Sequence, residues 1–228
     1  MYKVSCITVT RNRVDHLKKC ILYFKNQTHE YKELIIVYYN NDESTKKFLK
    51  ENQEDLNSNS IYFHMFIDDD GLYLGSVRNY AVSKATGEWL CIWDDDDWFS
   101  PNRIESQLSF CIENDLEASD LRCILIYSNK HQLLKLSFER VEGWEGSLFV
   151  KKSIMPKYKN IKTGEDTPVV MSLLFNNKFR TQFNPELYIY IFHDANISSS
   201  RHKQEIFDCS YELDSKKQRY FKEQIDWL

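Results

Sequence analysis

Residues Trp93–Trp98, WDDDDW, directly follow the apolar segment EWLCI at 88–92 and carry more information than any other stretch of the chain. Four adjacent carboxylates repel one another, so a fold accommodates them best when a cation lies among them. Side chains two apart in an extended chain point the same way, which places Asp94 and Asp96 on one face. Two carboxylates on one face suit a divalent cation that also holds a diphosphate.

The surroundings of Asp94–Asp97, here called the acidic run, distinguish it from a solvated turn, the more common setting for an isolated acidic stretch. The preceding segment is apolar nearly throughout, as buried parallel strands are. In open parallel sheets, ligands bind just beyond the carboxyl ends of the strands. The sequence therefore predicts a cation and phosphate site at the exit of a buried strand.

The composition of the chain bounds its class. It has 228 residues, enough for a sizeable core, and a formal net charge of −4, which argues against a nucleic-acid-binding protein. Six scattered cysteines without a CxxC pair favour reduced thiols and a cytoplasmic setting. The N-terminus runs straight into a strand pattern, so we expect no signal peptide, and no apolar stretch is long enough for a transmembrane segment. Docking on a membrane surface is left open.

The first half of the chain alternates predicted strands and helices. The strands are at 3–9, 33–38, 61–67 and 88–92, and the helices are at 14–26, 44–52 and 75–85. Ser100-Pro101 opens a further helix, because Pro is favoured in the first helical turn. Repeated βαβ units of this size predict an α/β fold with a doubly wound, mostly parallel sheet.

The second half is predicted to be mixed and to lean toward antiparallel pairing. The predicted elements are a hairpin of strands at 122–129 and 131–138, a strand end with a short helix at 149–155, an apolar helix at 167–175, strands at 178–183 and 186–192, and a helical tail at 204–228. We expect one domain over 1–228, with a Rossmann-like nucleotide-binding half at 1–98 and an acceptor-binding half at 99–228.

Taken together, the motifs resemble those of family 2 glycosyltransferases with the GT-A fold, over nearly the whole chain. The similar segments, in order, are VSCITVTRNRVDHLKKCI at 4–21, Lys32–Thr45, Leu74–Asn79, Ala85–Trp89, Trp93–Trp98, Thr163–Asp166 and His193–Asn196. A DxD pattern alone is weak, since short acidic patterns occur by chance. The occurrence of all these motifs in the right order is strong.

The resemblance implies an inverting enzyme that moves a sugar from a nucleoside diphosphate donor to an acceptor hydroxyl. It implies a bound Mn²⁺ or Mg²⁺ that stabilises the negative charge growing on the diphosphate. By match to the motif, Asp96 ligates the metal, and Asp94 contacts the ribose or nucleotide, with Asp95 between them. His193 is implied as a third metal or diphosphate contact, although a lone His at a strand end is more often structural.

Asp166 is the candidate general base, with Glu165 as its orienting neighbour. Both precede a helix opened by Pro168, where acidic residues often cap the helix or complement its dipole. The residues alone favour the cap, and the resemblance favours the base.

The predicted nucleotide contacts depart from the family pattern at two positions. Thr10 ends the first strand as the family has it, but Arg11 stands where a base-stacking tyrosine is common. Tyr39 stands where an aspartate commonly accepts a hydrogen bond from uracil. Asp42 is a candidate to contact the base in its place, and the sequence does not decide this. Arg11 or Tyr39 can still cover a base by stacking. UDP is therefore only the default donor.

Other residues carry two interpretations each. Arg78 pairs with a carboxylate of the acidic run or with phosphate, or else it is a surface cation near Asp68–Asp70. Asn196 and Ser198 are expected in a loop that closes over the donor. Acceptor selection is expected from the second half, and the residues expected to contribute are the hairpin, Trp144 and Glu145.

The resemblance implies a glycan or glycolipid acceptor and a role in cell-surface polysaccharide or glycolipid synthesis. The expected location is the cytoplasm, with peripheral contact at the inner face of the membrane as a further possibility. A sugar-phosphate nucleotidyltransferase is one alternative, but it usually needs a glycine-rich phosphate loop, and TVTRNR at 8–13 has no glycine. A catalytically inactive nucleotide-sugar-binding relative is the other. Its sign would be loss of Asp96 or Asp166, and both are present.

Overall fold

The computed structural model describes residues 1–68, 71–194, 196 and 199–226. These residues form two β-sheets flanked by α-helices. The strands are β1 Val4–Thr10, β2 Lys32–Tyr39, β3 Ile61–Phe66, β4 Trp89–Ile92, β5 Trp98–Phe99, β6 Ala118–Leu121, β7 Leu125–Ser128, β8 Leu133–Leu136, β9 Phe149–Lys151, β10 Phe179–Gln182, β11 Tyr188–Phe192 and β12 Tyr211–Glu212. The helices are α1 Val14–Lys25, α2 Glu43–Glu51, α3 Gln53–Ser58, α4 Leu74–Lys84, α5 Arg103–Glu113, α6 Thr167–Leu174, α7 Ser200–Asp208 and α8 Ser215–Asp226.

The larger sheet has seven strands in the order β10-β6-β9-β4-β1-β2-β3. Six of these strands run in one direction, and β9 pairs antiparallel with both β4 and β6. The strand order reverses at β1, because β2 and β3 lie on one side of it and β4 on the other. The carboxyl ends of β1 and β4 therefore meet at the switch point where ligands bind in such sheets.

The two faces of this sheet are covered by different helices, as the apolar sequence of its central strands requires. Successive residues of β1 and β2 alternate between two buried clusters, so that Cys6 packs in one and Ile7 in the other. Helix α1 contributes Leu17 and Phe24 to the first cluster, and helix α4 contributes Val77 to the second. The predicted doubly wound arrangement is confirmed.

The smaller sheet has the order β12-β8-β7-β11-β5, and only its β7 and β11 pair in parallel. The predicted hairpin is confirmed as β7 and β8. Strand β5 follows the acidic run and pairs antiparallel with β11, so the acidic run connects the two sheets. Asp97 fixes this junction, because its carboxylate accepts hydrogen bonds from the hydroxyl of Tyr188 and from the backbone N–H of Ile191, the latter at 2.9 Å.

The described residues contain one α-helix and three strands that the sequence did not predict: α3, β5, β6 and β12. Strand β6 was not predicted, because Ser119 and Asp120 make it read as a polar loop, although all four of its residues are buried. The Asp120 carboxylate is compensated locally by hydrogen bonds from the Ser147 hydroxyl and the Leu121 N–H. The strands predicted at 178–183 and 186–192 belong to different sheets, as β10 and β11.

None of the helices in the described ranges combines the length and the apolar character needed to cross a bilayer.

The contact between Tyr188 and Asp97 predicts a stability change. Tyr188→Phe keeps the ring that stacks on Phe99, with centroids 5.4 Å apart, but removes the hydroxyl donor to a buried carboxyl group. We expect the free energy of unfolding in urea to fall by roughly 1–3 kcal/mol, as for other buried groups that lose a hydrogen-bond partner. Tyr211→Phe, at an exposed tyrosine of the same sheet, is the control and should change it by less than about 0.5 kcal/mol. Equal stabilities of Tyr188→Phe and wild type would contradict this assignment.

Candidate active site

The turn that follows β1 supplies the first counter-charge of the acidic run. Arg13 occupies the position before α1, and its Nη1 lies 2.6 Å from Asp96 Oδ2 while its Nη2 lies 3.0 Å from Asp95 Oδ1. Arg13 was not among the site residues predicted from the sequence. The signal was available in the topology, since the turn after β1 must lie beside the end of β4 in a parallel sheet of this order.

Asp95, like Asp97, is a buried member of the acidic run. Its Oδ2 makes no hydrogen bond with any residue that the structure describes. Burial and the neighbouring Asp96 charge raise the pKa of Asp95 to about 7, even though Arg13 acts in the opposite direction. Asp95 therefore exchanges its proton near neutral pH and responds to any added positive charge.

Asp96 is held in the ionised state. Its Oδ2 also lies 3.2 Å from His193 Nε2 and 3.2 Å from Asn196 Nδ2. Burial raises the pKa of Asp96, but the hydrogen bond with His193 and the charge of Arg13 outweigh it and lower this pKa to about 2. The structure thus brings together Asp96 and His193, the two residues predicted to contact a metal.

His193 stands at the end of β11 and stacks on a second histidine that the sequence analysis did not select. The ring centroids of His16 and His193 are 4.8 Å apart, with an interplanar angle of 20°. Burial and the proximity of His193 lower the pKa of His16. His16 lies in the first turn of α1, and the charge of Asp96 acts to raise its pKa, which indicates that the imidazole lies near the acidic run. Ser198, predicted in a closing loop, lies outside the described residues.

Arg78, on α4, is a buried bridge between two parts of the site. Its Nη2 lies 3.1 Å from Asp94 Oδ1, and its Nε lies 3.3 Å from Glu165 Oε1. Burial lowers the pKa of Arg78, but Asp94 and the other carboxylates around it raise it overall, so the guanidinium is always charged. Of the two interpretations, Arg78 is the partner of an acidic-run carboxylate and not a surface cation. The alternative neighbours Asp69 and Asp70 lie outside the described residues.

Asp166 and Glu165 lie at the start of α6, on the other side of Arg78. Asp166 is the N-cap of this helix, and its carboxylate accepts a hydrogen bond from Thr167 N at 2.9 Å. Burial raises the pKa of Asp166 to about 6; Arg78 opposes this rise, whereas Glu165 and Glu145 add to it. Asp166 therefore caps α6 and also lies near Arg78, the residue that pairs with Asp94 of the acidic run.

Close backbone packing holds Tyr158 and Lys159, in the segment that precedes Glu165 and Asp166, against α4. A Cβ on Gly75 would lie 2.1 Å from the carbonyl oxygen of Lys159, so only glycine allows this approach. Asn79 then joins the same segment twice, with its Nδ2 2.8 Å from Tyr158 O and its Oδ1 2.9 Å from Tyr158 N. The motif at 74–79 thus fixes the position of Arg78 relative to Glu165.

The predicted acceptor residues differ in accessibility. Glu145 forms a two-pronged ion pair with Arg140, at 2.8 and 2.9 Å, and its Oε1 accepts a hydrogen bond from the Thr167 hydroxyl at 3.2 Å. It therefore lies beside the start of α6. Trp144 is buried against Phe138, with ring centroids 5.5 Å apart, and is a packing residue in this structure.

The predicted base contacts are engaged with one another or with the fold. The Arg11 guanidinium lies 4.5 Å from the centroid of the Tyr39 ring and forms an ion pair with Asp68 at 2.8 Å. Thr10 is buried at the end of β1. Their roles in binding a base stay predictions.

Asp42 is fully buried and caps α2. Its Oδ1 accepts from Thr45 N at 3.0 Å and from the Ser44 hydroxyl at 2.9 Å, and its Oδ2 accepts from Asn12 N at 2.5 Å. Burial raises the pKa of Asp42, but these hydrogen bonds outweigh it and lower the pKa overall. Both carboxylate oxygens are thus used by the protein, and a contact of Asp42 with a base remains a prediction.

The donor atoms at the acidic run suit a divalent cation. A carboxylate oxygen of Asp96 and an imidazole nitrogen of His193 converge, 3.2 Å apart. Carboxylate and imidazole are ligands that Mn²⁺ accepts. The described residues contain no group of three or more His, Cys, Asp or Glu side chains arranged to hold a metal. Asp96 and His193 therefore fit a partial site, whose remaining ligands would be a phosphate group and water, as is common for Mg²⁺.

Comparisons with known proteins agree with this geometry. Residues 5–174 match the family model described as glycosyl transferase family 2. An uncharacterized glycosyltransferase of Rickettsia bellii is 32% identical over 113 residues, covering 50% of this chain and 16% of the relative. The putative teichuronic acid biosynthesis glycosyltransferase TuaG of Bacillus subtilis is 27% identical over 111 residues, covering 48% of this chain and 42% of the relative. The chain thus spans less than half the length of these relatives.

Solved structures share the fold at low sequence identity. S. aureus TarS 1-349 in complex with UDP-GlcNAc superposes with a TM-score of 0.70 and 16% identity, covering 85% of this chain and 60% of that chain. The mannosyltransferase PcManGT from Pyrobaculum calidifontis, in complex with GDP-Man and Mn²⁺, gives a TM-score of 0.63 and 13% identity, covering 85% and 58%. The predicted GT-A fold is confirmed. Because the family model matches most of the chain, this protein belongs to glycosyl transferase family 2.

Proposed function

We propose that this chain transfers a sugar from a nucleoside diphosphate donor to an acceptor hydroxyl, with inversion at the anomeric carbon and with dependence on Mn²⁺ or Mg²⁺. The observation that carries the proposal is the position of Arg78 between Asp94 and Glu165. It joins the acidic run, suited to a diphosphate and its cation, to the segment of Asp166, suited to proton transfer. Glycosyl transfer needs both in one site.

The donor is expected at the switch point between the ends of β1 and β4. Thr10 and Tyr39 are the last residues of β1 and β2, and Arg11 directly follows Thr10. These three residues are the proposed contacts of the nucleotide base. The solved relatives carry UDP-GlcNAc in one case and GDP-Man in the other, so both bases have to be tested. Asp94 and Asp95 complete the proposed nucleotide contacts.

Asp96 and His193 would hold the cation, because their donor atoms already converge. When bound, the cation would offset the negative charge that develops on the diphosphate as the bond to the sugar breaks. The low pKa of Asp96, about 2, means that this carboxylate is ionised and ready to bind a cation at any physiological pH.

Asp166 is proposed to accept the proton of the acceptor hydroxyl as its oxygen attacks the anomeric carbon. The diphosphate leaves from the opposite face, which inverts the configuration. A pKa of about 6 suits this task, since the carboxylate is mostly deprotonated at pH 7 and still basic enough to take a proton. The positive charge of Arg78 lowers the pKa of Asp166 and so favours its ionised form.

The acceptor is proposed to be a glycan or glycolipid that enters beside Glu145 and the start of α6. The name of the relative TuaG refers to teichuronic acid biosynthesis, which supports a role in cell-surface polysaccharide synthesis. An acceptor carried on a lipid would bring the protein into contact with the cytoplasmic face of a membrane.

A donor-hydrolysis screen tests the proposed reaction. Nucleotide sugars that include UDP-GlcNAc and GDP-mannose are incubated with the protein in Mn²⁺ or in EDTA, and released nucleoside diphosphate is measured. We expect release from one donor that depends on the cation and falls at least about 100-fold in Asp96→Ala, because a positioned charge at a developing anion contributes on this order.

Asp15→Ala is the matched control for this screen, since Asp15 is a carboxylate of the same chain whose side chain is 91% exposed on α1. It should behave as wild type. Release that persists in EDTA and in a folded Asp96→Ala protein would contradict the proposed cation dependence.

The pKa of Asp166 predicts the pH dependence of transfer. The base must be deprotonated, so log kcat/KM should rise with pH up to about 6 and then level off. Asp166→Asn should lose about 10²–10⁴-fold in kcat and lose the rising limb, because it cannot accept a proton. Nucleotide affinity should stay within about twofold of wild type, and Asp55→Asn, at an exposed carboxylate, should keep the full profile. A wild-type rate in Asp166→Asn would remove this assignment.

A further inference from the structure

Arg13 is a counter-ion of the acidic run. The proposed function gives it no role in the reaction. The Arg13 guanidinium spans two carboxylates, at 2.6 Å from Asp96 Oδ2 and 3.0 Å from Asp95 Oδ1. The side chains of Arg13, Asp95 and Asp96 are only 19%, 1% and 11% exposed, so water screens this contact weakly. A bridging guanidinium of this kind is among the stronger charge-assisted contacts in proteins.

The backbone that carries Arg13 is held in place. Asn12, immediately before it, has φ of 53°, in the left-handed region that few residues except Gly and Asn adopt readily. The Asn12 N–H donates to the buried carboxylate of Asp42 at 2.5 Å, which keeps this turn in position. The guanidinium is therefore directed at the acidic run by a rigid segment between β1 and α1.

The position of Arg13 conflicts with simultaneous cation binding. Asp96 Oδ2 accepts hydrogen bonds from Arg13 at 2.6 Å and from Asn196 at 3.2 Å, and it lies 3.2 Å from Nε2 of His193, the other proposed cation ligand. A divalent cation at this oxygen would meet the positive guanidinium at short range, and two cations repel strongly at a buried site. The guanidinium therefore disfavours cation binding at Asp96.

We propose that Arg13 competes with the divalent cation for Asp96, and that the donor diphosphate releases this competition by binding the Arg13 guanidinium. This inference rests on the proposed function of the same site. A diphosphate offers oxygens that a guanidinium fork binds in a two-pronged manner. Cation and nucleotide then bind cooperatively, each favouring the other to the same degree, as linkage requires. Free cation alone binds weakly.

The test is the affinity of the protein for Mn²⁺ alone, measured from the electron paramagnetic resonance signal of free Mn²⁺. Arg13→Gln removes the charge and keeps a polar, although shorter, side chain. We expect it to bind Mn²⁺ about tenfold or more tightly than wild type, because the competing charge-assisted contact is absent. The increase in Mn²⁺ affinity caused by UDP or GDP, whichever the wild type binds, should shrink in the variant.

Thermal unfolding gives a second measure that does not require a nucleotide. In EDTA, Arg13→Gln should melt below wild type, since two buried carboxylates have lost their counter-ion. Mn²⁺ should then raise the Tm of the variant by more than that of wild type, because a ligand that binds the folded state more tightly stabilises it more. If Arg13→Gln does not fold, Arg13→Lys, which keeps the charge but cannot bridge both carboxylates, should bind Mn²⁺ with an affinity above that of wild type.

Lys18→Gln is the matched control, because Lys18 is a basic residue of α1 that pairs with exposed Asp15 at 3.1 Å. It should leave Mn²⁺ affinity unchanged. If folded Arg13→Gln binds Mn²⁺ no more tightly than wild type while Asp96→Asn abolishes binding, the competition is wrong and the cation site stands. If neither wild type nor Arg13→Gln binds Mn²⁺, with or without nucleotide, both the competition and the proposed cation site are contradicted.

Discussion

The compensation of four adjacent aspartates by groups from other elements is the constraint on which the site depends. Each carboxyl group has a different environment, although the four are consecutive. Asp94 pairs with Arg78, and Asp96 is ionised beside Arg13 and His193. Burial raises the pKa of Asp95 to about 7 and that of Asp97 well above its ordinary value. A single run of one residue type therefore supplies a partner for a bridging arginine, a carboxyl group that titrates near neutral pH, an ionised carboxylate and a structural junction.

Two arginines that pair with the acidic run link it to other segments of the site. Arg13 draws the turn after β1 against the acidic run, and Arg78 draws the start of α6 against it through Glu165. Segments separated by more than 60 residues in sequence are thereby brought together around one proposed donor position. Asp97 anchors the far end of the run to β11, the strand that leads into His193. Removal of either arginine would leave buried carboxylates unpaired, which is costly in a protein interior.

The sequence predicted the parts of the fold that local patterns determine. Strands β1 to β4 and their helices follow from apolar runs and helical periodicity, and their observed bounds lie within about two residues of the expected ones. Strand β6 was missed because two of its four residues are polar, and the Ser147 hydroxyl that donates to the buried Asp120 carboxylate is distant in sequence, which no local pattern reveals. The convergence of Asp96 and His193 came from the family resemblance. Arg13 and His16 were missed because their roles depend on which strand ends are neighbours.

A crystal structure with Mn²⁺ and the bound nucleoside diphosphate, with anomalous diffraction at the manganese edge, is the sharpest test of cation and diphosphate binding at the acidic run. We expect a manganese peak bonded to Asp96 and to diphosphate oxygens, at the end of β4. We also expect the sugar position between this peak and Asp166. A peak bonded to other residues, with the acidic run facing solvent and the nucleotide elsewhere on the protein, would contradict the account.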